Sequence, residues 1–240
     1  MQTNSFALVF IHGHGVDASI WDGIYADLVS GASVIKPDFS RSTTHTTVEA
    51  YAEELYAQLQ VVQADKVVLI GHSMGGYIAL AFADQHPELV QGLVLYHSTT
   101  TADDNDRREI RRQVIEGLKS AGTVPFIRKQ IPKMVAPSYP SEKVQLLIDH
   151  YQNLPADGLS AGMTAIANRH DRTHVLRNTQ FPVLLVLGRD DQVLPYEKTA
   201  QLADLSPRVS LATIEQAGHL SMVEQPGQAI HVLRSFLDRL

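Results

Sequence analysis

The chain contains no cysteine. Disulfides, thiolate nucleophiles and Cys-ligated metal sites are therefore excluded. It has no run of basic residues, and its formal net charge is −6. Without a basic footprint, nucleic acid is not an expected partner. No apolar run is long enough to span a bilayer. The N-terminus lacks a basic region followed by a long apolar one, so no signal peptide is expected. These absences lead to the expectation of a cytoplasmic protein that does not engage a membrane. Repeats, low-complexity tracts and flexible linkers are missing as well. Eleven histidines are many. None stands in a His-Glu-x-x-His or His-x-His-x-Asp spacing, so no metal or other cofactor is expected.

What is present is a rhythm of short apolar runs and amphipathic stretches. The 240 residues fit one α/β domain with an insertion, and 44% apolar residues supply a large core. Ala7–Ile11, Ser33–Lys36, Lys66–Ile70, Leu89–Tyr96, Val183–Leu187 and Val209–Ile214 read as strands. Between them, Ile20, Ile24 and Leu28 share one helical face, with Ser19-Ile20-Trp21-Asp22 as a capping box. Val48, Tyr51, Leu55 and Leu59 form the next stripe, and Ile230, Leu233 and Leu237 the last. From Thr99 to Arg177 no strand pattern occurs. Four helical segments are expected there, the second broken by Pro132, with Arg107, Arg108, Arg111 and Arg112 mainly outside. Alternating strands and helices predict a parallel sheet with helices on both faces. The strand-free stretch predicts an all-helical cap, residues 99–176, inserted into a core of residues 1–98 and 177–240.

One stretch carries the clearest chemistry. Gly71-His72-Ser73-Met74-Gly75 lies between the apolar run ending at Ile70 and the helix beginning near Tyr77. Strand, Gly-x-Ser-x-Gly, helix is the context of a nucleophile elbow. Gly71 and Gly75 leave room for a sharp turn, and Ser73 sits at its tip above a helix N-terminus. A serine hydroxyl needs a base in hydrogen-bond reach. His219, in the loop after the last strand, is the candidate. An acid must orient that imidazole, and Gly188-Arg189-Asp190-Asp191 offers two. His12-Gly13-His14-Gly15, after the first strand, can turn backbone amides inward.

These four motifs, in this order, resemble the α/β-hydrolase superfamily over nearly the whole chain. The resemblance implies about six strands, all parallel, since only Met1 to Ser5 precede the first strand and the two strands that often open the family's sheet would be absent. It implies Ser73 as nucleophile, Asp191 rather than Asp190 as acid and His219 as base. The oxyanion hole would be formed by the backbone N–H groups of Met74 and His14. His12 would brace the loop. His97, Ser98, Met163, Ile166, Leu194 and Leu220 are expected to line a mostly apolar pocket between cap and core, and Trp21 to anchor the first helix by packing.

The implied activity is a serine hydrolase cleaving a small or medium carboxylic ester with an apolar acyl part through an acyl-enzyme. Lactonase, thioesterase, carbon–carbon hydrolase and perhydrolase use the same residues in the superfamily and stay open. A hydroxynitrile-type lyase would carry Lys after the catalytic His and Thr in place of Gly13, whereas here Leu220 follows His219. The menaquinone-pathway synthases place Arg after the double glycine, where this chain has Tyr77. A ligand receptor retaining the triad is the remaining alternative.

Overall fold

The computed structural model describes residues 6–29 and 33–240. The chain before Phe6, used above to argue for a shortened sheet, lies outside the described residues. In order, the elements are β1 (Phe6–Ile11), α1 (Tyr25–Leu28), β2 (Ser33–Ile35), α2 (Val48–Val61), β3 (Lys66–His72), α3 (Met74–Gln85) and β4 (Val90–Tyr96). Then come five helices, α4 (Asn105–Ala121), α5 (Thr123–Met134), α6 (Ser141–Tyr151), α7 (Ala156–Asn168) and α8 (Thr173–Asn178). The chain closes with β5 (Val183–Gly188), α9 (Tyr196–Ala200), β6 (Val209–Ile214), α10 (Ser221–Glu224) and α11 (Pro226–Leu237).

The six strands form one sheet in the order β2-β1-β3-β4-β5-β6, and every pairing is parallel. Parallel strands buried on both faces read as continuous apolar runs, which is why these segments were legible without alternation. The pleat divides their side chains between two cores. Ala7, Val9, Ile11, Val67, Leu69, Leu93 and Leu95 pack on one side with residues of α2, α3 and α8. Leu8, Phe10, Val68, Ile70, Val94 and Tyr96 pack on the other with residues of α11 and the first short helices. Helices therefore cover both faces.

Three local expectations need correction. The segment after β1 is a 3-10 helix, Ala18–Trp21, followed by a short α1, not one continuous helix. Its cap is Asp17, not Ser19, and Asp17 Oδ1 accepts the Ser19 N–H at 2.9 Å. Asp17 is thus the N-cap, its side-chain oxygen accepting the N–H of the second helical residue. Ile20, Ile24 and Leu28 are buried all the same. Pro132 does not break α5, which runs through it. Buried Ile131 and Met134 on either side hold the run and offset the one lost backbone bond. Among the described residues, no helix is long and apolar enough to cross a membrane.

Candidate active site

β3 ends at His72, and Ser73 takes φ 51°, ψ −112° before α3 begins at Met74. A non-glycine residue there stores backbone strain, which persists only when its surroundings fix it. Three bonds do so. The Ser73 N–H donates to Tyr96 O at 2.9 Å, and Ser73 O accepts from the Gly76 N–H at 2.9 Å and from Ser98 Oγ at 2.8 Å. The turn is crowded. A Cβ on Gly71 would lie 2.4 Å from Gly75 O, and one on Gly75 would lie 2.3 Å from Ile11 O. Both glycines are demanded by space, as the spacing had suggested.

β5 ends at Gly188 and delivers Asp191. Its side chain is 2% exposed and accepts four hydrogen bonds. Oδ1 accepts the N–H groups of Val193 at 2.8 Å and Leu194 at 2.9 Å. Oδ2 accepts His219 Nδ1–H at 2.7 Å and His97 Nδ1–H at 3.0 Å. Burial alone would raise the pKa of Asp191. The charge and hydrogen bond of His219, with the bond from His97, outweigh it and hold the carboxyl below the usual range. Asp190 is exposed, and its backbone N–H donates to Ala217 O at 2.9 Å. Arg189 pairs with Glu215 at 3.2 Å and lies over the Tyr196 ring, so it leaves Asp190 alone.

His219 follows β6 in a loop fixed by a residue the sequence did not flag. The buried Glu224 carboxylate accepts the N–H groups of Gly218 at 3.0 Å, Leu220 at 3.2 Å and Ala136 at 2.7 Å. One side chain thus ties the histidine loop to the end of α5. The His72 Nε2–H donates to His219 O at 2.9 Å from behind. Burial keeps His72 well below the ordinary histidine pKa and so neutral.

His97 lines the cavity as expected, and it also has a place in the hydrogen-bond network that was not expected. Its side chain is 0% exposed and is bonded on both nitrogens. Nδ1 donates to Asp191, while Nε2 accepts from Ser221 Oγ at 2.7 Å, and Ser221 in turn accepts from the Tyr96 hydroxyl at 2.7 Å. Burial lowers the His97 pKa, partly countered by Asp191, and a neutral ring with Nδ1 protonated suits Asp191 and Ser221, while the Gly188 N–H also lies 3.2 Å from Nδ1. His97 also touches the cavity wall, but its polar atoms are committed to the acid. His97, Asp191 and His219 could offer ligand atoms to a metal within 4.8 Å of one another. The 2.7 and 3.0 Å spacings to one carboxylate oxygen are those of two N–H donors sharing an acceptor.

The loop after β1 is pinned by its histidines. His12 Nε2 accepts the Phe39 N–H at 2.8 Å, and its Nδ1–H donates to Gly13 O at 2.7 Å, which is the bracing role expected of it. His14 Nε2–H donates to Leu159 O of α7 at 2.7 Å. Burial pushes His14 down to about 4, with Arg111 adding to the depression.

A cavity of about 240 Å³ opens above Ser73. Ser73, His14, His219, Met163, Ile166 and Leu194 line it, together with Ile110 and Val114 of α4 and Phe126 of α5. Two expected lining residues lie elsewhere. Ser98 is fully buried under the elbow, where its hydroxyl is spent on Ser73 O. Leu220 is fully buried in the core below the sheet edge, because with the His219 ring turned to the site its neighbour turns inward. The lining is also less apolar than the helix stripes suggested: Arg107, Arg111, Lys129 and Lys133 belong to it. Trp21 is fully buried against Phe10 and Tyr96, as a packing anchor.

With this fold and edge in place, the chain belongs to the alpha/beta hydrolase family, whose model matches residues 8–231. The chain is similar to a thermophilic esterase from Thermogutta terrifontis, with a TM-score of 0.92 and 27% identity over 98% of this chain and 90% of that one. It is 26% identical to the pimeloyl-[acyl-carrier protein] methyl ester esterase of Aeromonas salmonicida over 96% of this chain and 94% of that protein. It is 25% identical to a 2-hydroxy-6-oxononadienedioate/2-hydroxy-6-oxononatrienedioate hydrolase from a Pseudomonas species, over 97% of this chain and 88% of that protein.

Proposed function

We propose that this protein is a serine hydrolase that cleaves a small or medium carboxylic ester through an acyl-enzyme. The observation that carries this is Ser73, held strained at the elbow on the same cavity wall as His219, whose Nδ1 is bonded to the buried Asp191. His219 Nε2 takes the Ser73 proton as Oγ attacks the ester carbonyl, then gives it to the leaving alcohol. Asp191 holds the imidazole with Nε2 free to accept and stabilises its cation. The developing oxyanion is met by the backbone N–H of Met74, at the start of α3, and by that of His14. Water then attacks the acyl-enzyme with His219 as base. The helices α4–α7 act as the cap, and the apolar wall of Met163, Ile166, Val114 and Phe126 receives the apolar part of the substrate next to the carbonyl.

Two features weigh against a hydroxynitrile-type lyase. Leu220 stands where that chemistry would need a lysine, and it is buried. A Cβ on Gly13 would lie 2.5 Å from His72 Nδ1, so a threonine there does not fit. The similarities to two esterases support an ester as substrate. A p-nitrophenyl ester should give a burst of chromophore followed by steady turnover. A burst without turnover would mark a receptor that retains the triad, and neither would refute the proposal.

A further inference from the structure

Four cations converge on the cavity above Ser73. α4 turns Arg107 and Arg111 toward it, and α5 turns Lys129 and Lys133, each pair one helical turn apart. Among the described residues, none that lines it carries a carboxylate. Among the described residues, Arg107, Lys129 and Lys133 have no acidic partner within 4.0 Å. Arg111 has one in Asp103 at 3.2 Å, but the buried Asp103 also holds Arg169 at 2.8 Å, so one carboxylate faces two guanidiniums. The outward side of α4 differs: Arg112 pairs with Glu109, and Lys119 with Glu116. α5 contains no acidic residue. This local excess of positive charge stands in a chain of net charge −6. Cations gathered at a cleft with low-dielectric walls raise the local concentration of an anion.

The geometry points to an ester that carries a second, anionic group: a carboxylate held between α4 and α5 while the ester carbonyl lies at Ser73. This inference rests on the ester-hydrolase function proposed above and names its substrate class. The spacer between the two groups is short and apolar, running past Ile110, Val114, Phe126 and Ile166. The charge of Arg111 is already felt at His14, beside the reaction centre.

The test compares kcat/KM for monomethyl adipate with that for methyl hexanoate, and for 6-acetoxyhexanoate with that for hexyl acetate. The first pair places the carboxylate on the acyl side and the second on the alcohol side. At least one anionic ester should exceed its neutral counterpart tenfold or more at low salt. That ratio should fall toward one as salt rises, since the screening length shrinks from about 10 Å at 0.1 M to about 3 Å at 1 M. In a Lys129→Gln/Lys133→Gln variant, and in Arg107→Gln, the ratio should drop at least fivefold. Both esters of a pair are measured on one preparation, so any loss of folded protein cancels in the ratio. Ratios at or below one in the wild type would overturn the inference, as would a high ratio that neither variant changes. If no ester turns over, the ester-hydrolase proposal itself fails. The anion site is then judged by calorimetric binding of the same pairs to Ser73→Ala protein, where equal affinities overturn it.

Discussion

The C-terminal edge of the sheet and the helical segment α4–α7 meet at one cavity but are built differently. At the edge, Asp191 accepts four hydrogen bonds, His97 and His72 bond Asp191 and His219, and Glu224 holds the backbone on either side of His219. The side chains there are buried and mutually fixed. Across the cavity, α4 and α5 present long, exposed cations, three of which have no acidic partner among the described residues. Preorganised dipoles suit a step in which charge develops at a fixed place. Long, solvated side chains suit recognition of a distal group at low ordering cost. The edge should therefore set the rate for any ester, and the helical segment the ranking among esters.

The largest effect belongs to the edge. Ser73→Ala should lower kcat by ~10⁴–10⁶ for every ester tried, because triad members act as a unit. Circular dichroism and the melting temperature should stay near those of the wild type, as only a hydroxyl is removed. Substrate-dependent losses would blur the division between the two regions.

The next effect separates two adjacent carboxylates. Asp191→Asn should lower kcat by ~10²–10⁴, because the amide cannot accept the His219 N–H as a carboxylate does. Asp190→Asn should stay within roughly tenfold of wild type, since that side chain is exposed. Steady-state kinetics on one ester checks both, and exchanged effects would mean that another group supports His219.

His97 sharpens the account of the edge. Its N–H is one of two donors on Asp191 Oδ2. Removing it leaves the carboxylate more basic and better able to stabilise an imidazolium. His97→Phe should lower kcat/KM about tenfold and move the acid limb of its pH profile upward. A loss of activity with an unmoved limb would reduce His97 to a packing residue.

The buried histidines also predict how stability varies with pH. His12, His72 and His97 have pKa values lowered by burial, so the unfolded chain binds protons more readily than the native one. Their contribution to stability is full above the unfolded value of about 6.5 and is lost as pH falls from there toward the folded values. The melting temperature should thus decline from pH 7 to pH 5, and His72→Gln should flatten that decline. A melting temperature that is constant or rises toward acid would contradict neutral native histidines.

The smallest effect on rate and the clearest on selectivity lies across the cavity. Met163→Trp or Ile166→Trp should shorten the preferred acyl chain with only a modest change for acetate esters. No shift in chain-length preference in either variant would remove α7 from the pocket wall.

The sheet, its order of motifs and the elbow were legible because each depends on neighbours in sequence. Buried parallel strands are apolar runs, and Gly71 and Gly75 crowd backbone only four residues away or on the adjacent strand. The two residues that most stiffen the edge were not legible in those roles. His97 meets Asp191 across 94 positions, and Glu224 meets Ala136 across 88, so no local pattern announces them. Ser98 and Leu220 were misplaced for a related reason: being next in sequence to a site residue does not fix which way a side chain turns. In α4 the arginines were expected mainly outside, but the stripe facing the cavity is Arg107, Ile110, Arg111 and Val114. A half-exposed wall can be cationic, and apolar periodicity alone does not reveal it.

The most direct test of the central claim is labelling with a fluorophosphonate followed by peptide mapping. The account predicts one phosphonyl group per chain, carried on Ser73, with labelling strongly slowed in His219→Gln. Label on another residue, or equal labelling rates with and without the histidine, would contradict a Ser73 nucleophile activated by His219.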